Sequence, residues 1–161
     1  MAYSMQIDGM DEIVAMLQKA EDRAQGVAAR GLYKGAGVVA DAITAAAGGI
    51  GTAPFKYAAG GFQRMPSPEE KAALLAGGPA GIAKFDKNGN SVNTIVGYGA
   101  SGYVDIAGHQ KAVAQIANAI NSGTSFMKKQ PFIRKAATKA KGAAEGAINS
   151  EIESLVGQLL K

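Results

Sequence analysis

Apolar and small residues recur every three or four positions along two long stretches of the chain. In the first, from Met10 to about Ala47, they fall at Ile13, Leu17, Ala20, Ala24, Val27, Gly31, Gly35, Val38 and Ala42. That spacing gathers side chains on one face of an α-helix. Asp8 stands where an N-cap belongs, and Asp11 and Glu12 suit the positive end of the helix dipole. Between Ala20 and Ala36 the stripe is built of alanine and glycine. Side chains this small let a second helix approach closely, and Gly26 or Gly31 offers a point at which to bend or break the element. The second stretch runs from Phe132 to Leu160. Its stripe is Ile133, Ala137, Ala140, Ala144, Ile148, Ile152, Leu155 and Leu159, again at helical period.

Shorter patterns lie between them. "SPEEKAALLAGG" carries a full set of helix signals: Ser67 as cap, Pro68 in the first turn, Glu70 to complete a capping box and Gly77 to stop the helix. Ile82–Phe85 and Val92–Val96 flank Asp86–Ser91, where Asn88-Gly89 supplies the positive φ angles of a tight hairpin turn. Gln110–Ile120 reads as another short helix, with Val113, Ile116, Ala117 and Ile120 on one face. Two segments, Gly48–Met65 and Gly97–Gly108, show no sustained period and read as glycine-rich loops. Each carries aromatic residues, Phe55, Tyr57 and Phe62 in one, Tyr98 and Tyr103 in the other. Pure linkers seldom hold such side chains, so the loops are expected to find cover on another chain. The pattern predicts one α+β domain over residues 1–161: two long helices packed with a small antiparallel hairpin, short helices and long Gly/aromatic loops.

Composition sharpens this picture. Hydrophobic residues make up 47% of 161, but many are alanine; there are 22 glycines and no tryptophan. Alanine buries little area, so a lone subunit should have a thin core and complete its burial against copies of itself. Zero cysteines exclude a disulfide scaffold, an iron–sulfur cluster and a thiol nucleophile. No apolar run reaches the roughly 18 residues needed to cross a bilayer, and the first residues lack the pattern of a signal peptide. A soluble, intracellular protein is expected, with no role for a membrane. The net charge of +4 is too small to argue for nucleic acid by itself.

Candidate chemistry is sparse. Gly97-Tyr98-Gly99-Ala100-Ser101-Gly102 matches G-x-G-x-x-G, but that fingerprint must open a helix whose N-terminus holds a pyrophosphate. Here "YVDIAG" intervenes, and after Asp105 the next acid is Glu145. His109 is the single histidine, with Asp105 and Ser101 upstream. A nucleophilic triad depends on folded geometry, and a metal site would need further ligands nearby. The reading is therefore non-enzymatic, with no cofactor and no metal.

One stretch is out of the ordinary. Lys128, Lys129, Arg134, Lys135, Lys139 and Lys141 fall within fourteen positions that hold no acid. Four lie in the first turns of the last helix, while Glu145, Glu151 and Glu153 come later. That order runs against the helix dipole, at roughly 0.3–1 kcal/mol for each charge. Either the cations form a solvated face, or they answer something outside the helix: an acidic neighbour or a phosphate backbone. With Phe126 as a stacking residue, Lys128–Lys141 would make a nucleic-acid-binding face.

The same stretch, "AINSGTSFMKKQPFIRKA", carries a resemblance. An amino-terminal "IDGMDEIVAMLQKA", a long alanine-rich helix, a hairpin, this segment and an amphipathic last helix occur in the order seen in a family of tailed-phage proteins. These are the tail-component, neck or tail-completion proteins encoded between head and major tail genes. Its members carry an Asn-Glu-Phe-Gly-Thr-like turn, then Pro-Phe, an aliphatic residue, Arg and a helix. Asn121, Gly123, Thr124, Met127, Pro131, Phe132, Ile133, Arg134 and Ala136 fit that pattern. Ser122 replaces the acid-aromatic pair, and Lys128-Lys129-Gln130 replaces Pro-Ala-Arg. The resemblance implies a virion subunit of the head–tail junction or upper tail end, assembled in the host cytoplasm. It would form a homo-oligomeric ring, six-fold, around DNA held without sequence specificity, and it would contact neighbouring connector and tail proteins. Gly123, Thr124, Phe126, Lys128, Lys129, Pro131, Phe132 and Arg134, with Phe55, Tyr57 and Phe62, would then form subunit and partner interfaces. Pro131 suits the helix start, where its missing N–H costs nothing, and Phe132 would anchor that start against Ile120 or Phe126.

Overall fold

The computed structural model describes residues 10–54, 63–85 and 92–159. The fold is α+β, in the order α1 (Met10–Gly48), α2 (Pro68–Gly77), β1 (Ala80–Phe85), β2 (Val92–Gly97), β3 (Tyr103–Ile106), β4 (His109–Ala112), α3 (Val113–Ser122) and α4 (Phe132–Leu159). Asp8, Phe55, Tyr57, Phe62 and the Asn88-Gly89 turn lie outside the described residues.

α1 is one unbroken helix, so neither Gly26 nor Gly31 interrupts it. It packs antiparallel against α4, and the small residues set how closely. A β-carbon placed on Gly35 would come 2.5 Å from Ile148 Cγ1, and one on Gly31 would come 2.9 Å from Ile152 Cγ1. Ile148 and Ile152 thus occupy the space those two glycines leave open. From α4, Phe132, Ala136, Ala140 and Ala144 are buried at every fourth position. Close approach gives this thin seam its dispersion energy, since alanine removes little area from water.

The β1–β2 hairpin is antiparallel, in register from Ala80↔Gly97 to Phe85↔Val92. It rests on α1, where a β-carbon at Gly81 would stand 2.7 Å from that of Ala36. α2 starts as its sequence dictates. Glu70 N–H donates to Ser67 Oγ at 3.2 Å, and Ser67 N–H donates back to Glu70 Oε2 at 2.9 Å. At its other end Gly78, at φ 59°, donates its N–H to Leu74 O.

The segment Gly97–Gly108 is not the glycine-rich loop its pattern predicts. Tyr103–Ile106 is a strand paired with His109–Ala112. Ala107 and Gly108, at φ 54° and 77°, make the two-residue turn between them, the left-handed geometry that matches the twist of a hairpin. Asp105 Oδ1 accepts the Gly108 N–H at 3.0 Å and holds that turn. Because His109–Ala112 goes into the strand, α3 begins at Val113 rather than Gln110.

The core gathers where α1 ends and α4 begins, with Ile43, Leu74, Ile116, Ile120 and Met127 among its members. Phe132 lies in this core and meets the Tyr98 ring edge-on, centroids 6.3 Å apart. It packs inside its own chain with Ile120 in the same cluster, whereas Phe126, its other expected neighbour, is 73% exposed.

Candidate functional site

The turn from Ser122 to Pro131 joins α3 to α4, and nearly every polar group on its inner side is spoken for. Gly123 leads out of α3 at φ 78° and donates its N–H to Ala119 O. A β-carbon there would sit 2.9 Å from Lys129 Cβ and 3.3 Å from the Lys129 backbone. Both the dihedral and the contact require glycine. Thr124 Oγ1 accepts the N–H groups of Phe126 and Met127 at 3.2 and 3.0 Å, and its own N–H donates to Met127 O. This side chain folds the turn on itself. Gln130 N–H reaches back to Ile120 O at 2.7 Å. Asn121 Oδ1, from the last turn of α3, accepts the Ile133 N–H at 3.1 Å and so caps the start of α4 from a distance in sequence.

The turn is also pinned from outside. Arg64 brackets Met127 as a single parallel bridge: Arg64 N–H donates to Phe126 O at 2.7 Å, and Lys128 N–H donates to Arg64 O at 2.9 Å. Gln63 Nε2 donates to Thr124 O at 2.8 Å. The Gln130 amide makes two bonds of 3.0 Å with the backbone of Gly51, one in each direction.

Arg64 is itself fixed by Glu70, whose side chain is 2% exposed. The guanidinium donates through both terminal nitrogens, Nη1 to Oε2 at 2.7 Å and Nη2 to Oε1 at 2.6 Å, and Lys111 Nζ from β4 lies 3.7 Å away. Burial pushes the Glu70 carboxyl up. The hydrogen bonds from Arg64 and the Ser67 N–H, with the charges of Arg64 and Lys111, outweigh that and hold it below the usual carboxylate range. The same contact, chiefly the hydrogen bond, holds Arg64 above its ordinary value.

On the outer side the turn is bare. Phe126, Lys128 and Lys129 are exposed, as are Arg134, Lys135 and Lys139 on the first turns of α4. Among the described residues none of these cations makes an ion pair; Lys141 alone of the basic run approaches an acid, Glu145, at 3.8 Å. Lys129 and Lys135 flank an open cleft of about 330 Å³, lined also by Ala46, Gly49, Ile50, Gln130, Pro131 and Phe132. The antiparallel pairing thus brings the start of α4 to the end of α1 at this cleft.

Of the residues singled out in the sequence, Gly123 and Thr124 build the turn, and Pro131 lines the cleft. Phe126, Lys128, Lys129 and Arg134 present outward, while Phe132 is core. The roles of Gln63, Arg64, Glu70 as an ion-pair partner, Asn121 and Gln130 have no signature in the sequence. Asn121 and Gln130 lay inside the motif without a role, and a pairing across many residues leaves no periodic trace.

Elsewhere, Ser101 Oγ donates to Gly78 O at 2.7 Å and Asp105 holds the β3–β4 turn. Neither bonds to the exposed His109. The residues after the G-x-G-x-x-G match enter strand β3, so no helix N-terminus follows it. Among the described residues no group of His, Asp and Glu could hold a metal ion, and no helix is long and apolar enough to cross a membrane. No protein-family model matches the chain, and neither a curated protein nor a solved structure does.

Proposed function

We propose that the chain is a structural subunit of a tailed-phage virion. It assembles as a homo-oligomeric ring at the head–tail junction or upper tail end, around the DNA channel, and has no catalytic role. The observation that carries this reading is the Ser122–Pro131 turn. Its inner side is fixed by Arg64, Gln63, Gln130 and Thr124, while Phe126 stands 73% exposed beside Lys128 and Lys129. An aromatic side chain held outward on a rigid mount exposes apolar area at a cost unless a partner covers it. Rigid mounting also lowers the entropy lost on docking. Tyr33, Ile95 and Tyr103 are likewise exposed on α1, β2 and β3, so several faces invite cover. The turn also carries the residues that resemble the phage family.

Electron microscopy of the purified chain tests the reading: rings of one size with a central opening are expected, and a uniform population of monomers would overturn it.

A second reading, a nucleic-acid-binding protein using Lys128–Lys141, is favoured by the cations of that run that make no ion pair among the described residues. A salt titration with duplex DNA separates the two. A binder neutralising several phosphates holds free duplex and loses it steeply as salt rises. A ring subunit shows no tight binding to free duplex at physiological salt.

A further inference from the structure

The cationic cleft has a complementary segment in the same sequence, and the fold keeps the two apart. Gly31 faces Ile152 and Gly35 faces Ile148, so each step along α1 runs opposite one step back along α4. Continued, that register brings the backbone of Leu159 level with that of Ala24. The backbone of α1 from Met10 to Arg23 therefore runs on beyond the last described turn of α4. Fourteen residues at about 1.5 Å each extend roughly 21 Å.

These overhanging turns begin with Asp11, Glu12, Ile13 and Leu17, and contain no base before Lys19. The Lys128–Lys141 run, by contrast, contains six bases and no acid. The cleft that Lys129 and Lys135 flank has an apolar floor of Ala46, Ile50, Pro131 and Phe132. Acid beside apolar side chains is what such a cleft would bind. Yet the cleft adjoins the C-terminal end of α1, and the acids stand at its N-terminal end, about 55 Å away along a helix of 39 residues. Screening reduces exposed charges to near independence beyond about 8 Å at physiological salt. They cannot serve each other within one copy.

We infer that they serve each other between copies: the first turns of α1 in one subunit seat on the Lys129–Lys135 cleft of the next. This rests on the ring reading and supplies its contact. Two different surfaces meet, so the contact is head-to-tail, the type that closes into rings when its rotation permits.

A charge exchange tests it by sedimentation velocity on the full chain, with circular dichroism to confirm that each variant stays helical. Lys129→Glu/Lys135→Glu sets acid against acid, and Asp11→Lys/Glu12→Lys sets base against base. Each variant alone should associate at least about tenfold more weakly than the parent. Mixed in equal amounts they should recover, because acidic start meets basic cleft at one contact and the reverse holds at the next. The milder Asp11→Asn/Glu12→Gln, which adds no base to the helix start, should weaken association partially. If the parent forms rings and both charge-reversed variants do too, the contact is wrong and the ring stands. If the variants fall apart and mixing does not restore them, the two segments are not partners. A parent that stays monomeric overturns the ring and this contact together.

Discussion

Gly31 and Gly35 meet Ile152 and Ile148 along the α1–α4 seam, whereas Glu70 meets a bidentate Arg64, a nearby Lys111 and the Ser67 N–H. The seam is specified by shape. Its partners are apolar and nondirectional, and what they require is room. The polar knot is specified by direction, since a buried carboxylate is tolerable only while its hydrogen bonds are made. The seam holds two long elements together, and the knot passes order onward. Glu70 fixes the Arg64 side chain, the Arg64 backbone brackets Met127, and Met127 sits in the turn that presents Phe126. A fault in the seam should therefore loosen the whole chain, while a fault in the knot should also unfasten one surface.

The largest effect is expected from Arg64→Ala. Among the described residues it leaves a 2% exposed carboxylate with only Lys111 and one backbone N–H. Breaking a buried pair from one side costs about 3–5 kcal/mol. Urea melts should show that loss, and hydrogen exchange at Met127 and Lys128 should rise beyond it. A change under about 1 kcal/mol, within the range of a surface pair, would show that the knot holds nothing.

The seam makes a prediction of opposite sign at neighbouring glycines. Gly35→Ala forces a methyl against Ile148 and should cost about 1–3 kcal/mol. A β-carbon at Gly37, two residues on in the same helix, meets no described residue within 4 Å. There Gly37→Ala should stabilise by about 0.5–1 kcal/mol through helix propensity. Equal effects at both positions would remove the reason given for glycine at Gly35.

The knot should also respond to pH. Glu70 is held below its ordinary value of 4.5 in the folded chain. Its contribution is thus fully present above that pH and drains away as pH falls through the lowered native value. Glu70→Gln lacks this dependence, so the gap in stability between parent and variant should be widest near neutrality and close in acid. A gap that stays constant with pH would assign the loss to packing.

The smallest effect concerns the β3–β4 turn. Ala107 adopts φ 54°, where Asn is better suited than alanine, so Ala107→Asn should raise stability by up to about 1 kcal/mol in the same melts.

These differences track what could be read in the sequence. Both long helices were legible because their packing repeats every three or four residues, and α2 because Ser67, Pro68 and Glu70 sit at fixed offsets. The β1–β2 hairpin announced itself through alternation around Asn88-Gly89. The β3–β4 hairpin did not: its strands are four residues each and its turn is Ala107-Gly108, which lacks the usual Asn or Asp at the first position. At the site, Gly123 and Thr124 were legible as a turn, and Pro131 as a helix start. What fastens the turn was not, because Arg64–Glu70, Arg64–Met127 and Gly51–Gln130 are pairings of directional groups made only once the chain has folded.

Sedimentation velocity of the full chain beside Phe126→Ala, across the micromolar range, bears most directly on the account. Phe126 is exposed and makes little of the fold, so the substitution should leave helicity and melting unchanged. The parent should sediment as a closed oligomer and Phe126→Ala as a folded subunit with much weaker association. An oligomer in both would remove Phe126 from the contact, and a parent that remains monomeric throughout would contradict the assembly role itself.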